Sequence, residues 1–99
     1  MRAQESGNLD NLIETEWDIL HDLRKMLNDP KLSIGEKTRV ANALAYHASV
    51  LSKMLSQKGE GAKFDDATLG DFIRTVEPRI CRLVRRDFRV WKRRLSLRR

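Results

Sequence analysis

The chain holds one cysteine, two prolines, six aromatic residues in all and no long apolar run. Each scarcity excludes something. A single thiol, Cys81, cannot close an internal disulfide and leaves no cysteine set for a structural metal. A membrane-spanning helix needs about 20 consecutive apolar residues, and none is present. The opening MRAQESGNLD is polar, unlike a secretory signal. These absences predict an intracellular protein, cytoplasmic or nucleoid-associated, or one carried in a virion.

Catalytic patterns are equally scarce. No glycine-rich phosphate loop, zinc-finger spacing, RNA-binding aromatic motif or supported Ser/His/Asp or Cys/His arrangement occurs. Asp18-x-x-His21 has the spacing by which one helix offers a carboxylate and an imidazole to a metal. Helical di-iron sites need matching motifs on other helices, and the second helix offers only His47. Glu14, Asp18, His21 and Asp22 therefore read as a solvated acidic face. Cys81 lies among arginines, which predicts a lowered thiol pKa, but no base partner accompanies it. The chain reads as a non-enzyme with no cofactor and no metal.

What the sequence does have is a separation of charge. Residues 1–78 carry ten Lys/Arg and thirteen Asp/Glu; residues 79–99 carry ten Lys/Arg and one Asp. Such asymmetry points to a basic element, made for a polyanion, on a near-neutral scaffold.

Ninety-nine residues make one domain. Residues 1–8 are expected to be disordered and 9–99 to form a single all-helical domain. From Leu9, apolar residues through Leu27 follow helical spacing, ended by Asn28-Asp29-Pro30. Ser33 with Glu36 three residues later is a capping box, opening a helix that stops at Gly59. The short link between the two makes residues 9–58 an antiparallel helical hairpin.

In the second helix Ala41, Leu44, Ala48, Leu51 and Leu55 recur at 3–4–3–4 spacing, a coiled-coil-like seam. Val40, Ala43, His47, Val50 and Met54 form a second apolar row beside it, with Arg39, Asn42, Tyr46, Ser49 and Lys53 on the polar side. The apolar arc is too wide for one partner helix. It is expected to meet the first helix on one flank and either the C-terminal helices or another subunit on the other. The five seam residues are the candidate oligomer interface, and a homo-oligomer is expected.

After the flexible link at 59–63, residues 64–99 are expected to form a short helix, capped at Thr68, and a basic amphipathic C-terminal helix. Leu69, Phe72, Ile73 and Val76 give the short helix its apolar face. Pro78 disfavours helical geometry at Glu77 and suits the first turn of the next helix. In that last helix Ile80, Leu83, Val84, Phe88, Val90, Trp91 and Leu95 share one arc; Arg79, Arg82, Arg85, Arg86, Arg89, Lys92 and Arg93 share the other. The aromatic residues read as core anchors.

Arg79, Arg82, Arg86, Arg89 and Arg93 form a row with three- or four-residue steps. Like charges so spaced oppose the helix by roughly 1–2 kcal/mol over the four pairs. Phosphates along the row would relieve that repulsion and release counterions. Arginine also suits two-pronged phosphate contact better than lysine. These seven bases are the candidate nucleic-acid contacts, DNA being favoured. The alternative is a structural or adaptor protein whose basic helix meets an acidic protein surface; peripheral membrane binding is a less favoured third reading. Three polar residues interrupt apolar faces: Glu16, His47 and Asp87. A pairing of Glu16 or Asp87 with His47 or an arginine would fix helix register. The plan, a hairpin with a basic helical end, resembles small viral or plasmid-encoded DNA-associated proteins, including packaging-terminase small subunits.

Overall fold

A computed structural model describes residues 2–60 and 63–97, with side chains for 8–60 and 63–96. The architecture is all-α: α1 (Arg2–Leu27), α2 (Ile34–Gln57), α3 (Asp66–Phe72) and α4 (Pro78–Leu97), with no strand among the described residues. The disorder expected for residues 1–8 falls partly on Met1 and on side chains outside the described set; the backbone from Arg2 is helical. Gly61 and Ala62, within the expected flexible link, also lie outside it.

The helix ends follow from local chemistry. Ser33 Oγ accepts from the Glu36 amide at 3.1 Å, and Glu36 Oε1 accepts from the Ser33 amide at 2.8 Å, so the capping box closes as spelled. These bonds favour the ionised Glu36 carboxylate and lower its pKa. At the other end Gly59 takes φ +77°, the left-handed turn that a Cβ disfavours. Glu60 N–H reaches Leu55 O at 2.7 Å and Gly59 N–H reaches Ser56 O at 3.0 Å, a Schellman closure that satisfies the last carbonyls.

The cap of α3 is Asp65 instead of Thr68. Its carboxylate accepts from the Thr68 amide at 2.9 Å and the Thr68 hydroxyl at 3.0 Å, and its pKa is lowered in consequence. The break before Pro78 stands as expected, with Glu77 O accepting the Cys81 amide at 2.9 Å to open α4.

α2 is the central helix, packed against α1 on one side and α4 on the other. The core joins Leu20 and Leu27 of α1, the α2 seam, Leu69, Ile73 and Val76, and Ile80, Val84 and Phe88 of α4. Each large apolar side chain fully buried there contributes roughly 1.5–3 kcal/mol. The sequence pattern missed Phe64, which is fully buried and meets the rings of Trp17 and Phe88 edge-on at 5.3 and 6.2 Å. It pins the link before α3 onto α1 and α4.

One expectation is corrected here. Ala41, Leu44, Ala48 and Leu51 are 0% exposed and Leu55 is 7% exposed within the single chain. The seam proposed as an oligomer interface is therefore filled by the chain's own α1 and α4, and offers no surface to a second copy. The side of α2 read as polar helps to receive α4: Asn42 Nδ2 donates to Asp87 Oδ2 at 3.1 Å, and Tyr46 meets Trp91 edge-on at 4.9 Å. Ser49 is buried and satisfies itself on Tyr46 O at 2.6 Å. Pairing Asn42 with Asp87 and Lys53 with Leu95 makes α2 and α4 run parallel.

Candidate nucleic-acid interface

α4 splits into two faces. Ile80, Val84 and Phe88 are buried, and Leu83, Trp91 and Leu95 are half-buried against the core. Val90, assigned to the apolar arc, stands 41% exposed at its edge. The seven candidate contacts, Arg79, Arg82, Arg85, Arg86, Arg89, Lys92 and Arg93, are all exposed. The apolar face anchors the helix, so the bases project as one array without needing a ligand to order them.

Three of the seven touch carboxylates, each at long range for a charged pair. Arg79 Nε lies 3.5 Å from Glu77, Arg86 Nη2 3.3 Å from Asp87 and Arg89 Nε 3.5 Å from Asp66. Their side chains stay 78%, 68% and 59% exposed. Ion pairs of this kind stabilise by only about 0–1 kcal/mol and break readily. Arg82, Arg85, Lys92 and Arg93 have no carboxylate partner among the described residues. Arg85 lies along Gly70 of α3, where a built Cβ would stand 3.8 Å from its Nη1. Lys92 Nζ sits 5.2 Å from the centre of the Phe88 ring.

Among the described residues, no acid of α1 pairs with this array. Asp10 holds Lys58 at 2.7 Å, raising the lysine pKa, and Glu16 holds His47 at 2.8 Å. His47 is on α2 and Lys58 is its C-cap. Glu14, Asp18 and Asp22 remain exposed on α1. The charge asymmetry of the sequence thus persists as a separation between two flanking helices.

The remaining candidates find ordinary roles. His21 accepts from Arg24 Nη2 at 3.2 Å through Nδ1 and meets Phe72 edge-on at 5.2 Å, so it faces α3 while Asp18 faces solvent. No cluster of three His, Cys, Asp or Glu suited to a metal occurs among the described residues. A cavity of about 580 Å³ opens beside Arg24, Lys25 and Arg74, but Arg24 is already committed to Phe72 O at 3.1 Å and to the Phe72 ring. The Cys81 expectation is corrected. Its thiol donates toward Ile73 O and Val76 O at 3.1 and 3.2 Å, and burial raises its pKa despite the opposing pull of Arg85 and Arg82. No described helix is long and apolar enough to cross a membrane. No protein family, curated protein or solved structure matches this chain.

Proposed function

We propose that the protein binds nucleic acid, duplex DNA foremost, through phosphate contacts made by the exposed face of α4. The observation that carries this reading is the state of the arginines: an array anchored from behind, exposed in front and only loosely paired. From Arg79 to Arg93 the row spans roughly 21 Å at the helical rise. That matches an axial run of about six phosphates on one strand. Nothing in the row selects a base, so binding is backbone-directed and weak in sequence preference. α3 has seven residues and its junction with α4 lacks a turn glycine, which argues against a groove-reading helix-turn-helix.

A gel shift on random-sequence duplex DNA tests the proposal. Wild type binds at low salt, and replacing Arg82, Arg86, Arg89 and Arg93 by glutamine weakens the shift sharply without removing it at the lowest salt. Binding undiminished by the four changes rejects this face.

A second reading has its own observation. Glu14, Asp18 and Asp22 leave an exposed acidic face on α1, fit for the α4 array of a neighbouring copy or for the basic helix of another protein. In that case the protein is a structural or assembly component, and self-association is charge-driven. Light scattering after size exclusion then shows a mass that falls as salt rises.

A further inference from the structure

We infer that the recess between α2 and the end of α4 is a phosphate-binding subsite, formed by Ser52, Ser56 and Lys53 of α2 with Lys92 and Ser96 of α4. The recess encloses about 220 Å³, and Ser49 and Leu95 complete its lining. No carboxylate lines it. Every side chain it offers, apart from Leu95, carries a hydroxyl or an ammonium, and phosphate oxygens accept from both.

The strongest indication is Ser52. The residue is only 6% exposed, yet its hydroxyl has no protein partner among the described residues. No such atom is fully sealed from solvent, so the hydroxyl opens into the recess. The hydroxyl therefore meets solvent only through the recess, where a phosphate oxygen can accept its proton. Ser49 differs, having spent its proton on Tyr46 O.

The two lysines supply charge without being locked in place. Lys53 Nζ reaches Leu95 O at 3.4 Å, a long contact that a phosphate oxygen would outcompete. Lys92 belongs to the exposed basic array, so the recess opens at the edge of that array. A backbone phosphate following the arginines would enter here and meet donors from two helices. This source of the phosphate rests on the nucleic-acid reading; the chemistry of the recess does not, because free phosphate presents the same oxygens.

The test is a titration of the full-length chain, followed by amide chemical shifts, with inorganic phosphate and separately with dimethyl phosphate, against sodium chloride at matched ionic strength. Saturable shifts confined to residues 49–56 and 92–96 are expected with both phosphates and not with chloride. Ser52→Ala with Lys53→Gln weakens phosphate binding about a hundredfold, the value of two hydrogen bonds to a charged acceptor. Lys53→Gln alone, which removes no buried atom, lowers the salt slope of DNA binding by about one. Shifts reproduced by chloride, or phosphate affinity unchanged in both variants, overturn the subsite. Saturation by inorganic phosphate but not by the diester rejects the nucleic-acid backbone as the source and assigns the recess to free phosphate. Local phosphate saturation in a chain with no DNA affinity overturns the proposed function and leaves the subsite standing. DNA binding with no local saturation does the reverse.

Discussion

His47 Nδ1 lies 2.8 Å from Glu16 Oε1, joining α2 to α1 through a contact whose side chains are 29% and 14% exposed. An ionised carboxylate only accepts, so Nδ1 carries the proton in this bond. Helix register is held here by a polar pair placed among apolar rows. Glu16→Ala leaves the imidazole donor without its partner in a partly buried site and is expected to cost roughly 1–3 kcal/mol. Glu16→Gln keeps an acceptor and costs less. Urea unfolding of both variants, with His47→Ala and the double change, measures the coupling. Strict additivity would show that the two side chains do not interact.

Phe64 is the other fastening. Replacing it by alanine removes the ring that touches both Trp17 and Phe88, and the loss is expected to be about 3–5 kcal/mol. Against a total stability of roughly 5–15 kcal/mol, that loosens α3 and α4 together. Thermal unfolding followed by circular dichroism reports it; a variant as stable as wild type would remove Phe64 from the core account.

Acid stability depends on the two caps. The Glu36 and Asp65 carboxylates are both held below their usual pKa by backbone bonds. A lowered folded-state pKa stabilises above the unfolded value and is lost as pH falls through the folded one. The melting temperature is therefore expected to decline as pH drops below the ordinary carboxylate range. Asp65→Asn, which keeps a capping oxygen but cannot titrate, flattens part of that decline. An identical pH profile in the variant would show that the cap is not a source of it.

Cys81 has the opposite sign. Burial raises its pKa, so its contribution is full below the unfolded thiol value and is lost as pH rises through the folded one. Alkylation of the native chain near pH 8 is expected to be several-fold slower than that of the urea-unfolded chain. Equal rates would mean that the thiol is neither shielded nor held by the Ile73 and Val76 carbonyls.

Much of the architecture was legible because its signals are local. Ser33 with Glu36, Gly59 and Pro78 each act within a turn, and each marks an element boundary where the sequence places it. The basic and apolar faces of α4 were legible by periodicity, Val90 excepted. Periodicity also showed that α2 has too wide an apolar arc for one neighbour, but it cannot tell a helix of the same chain from one of another; burial of Ala41, Leu44, Ala48, Leu51 and Leu55 decides for the same chain. Phe64 escaped because it stands alone in a link, outside any repeat. The recess escaped because Ser52, Lys53, Lys92 and Ser96 are ordinary polar residues until α2 and α4 lie parallel and bring them together.

The salt dependence of DNA affinity counts the phosphates that the α4 arginines meet. Each phosphate neutralised contributes about −0.9 to the slope of log K against log salt concentration. For the variant with Arg82, Arg86, Arg89 and Arg93 changed to glutamine, the account predicts a slope shallower by roughly 3–4, with helicity retained. Wild type and variant binding DNA with the same slope would contradict it.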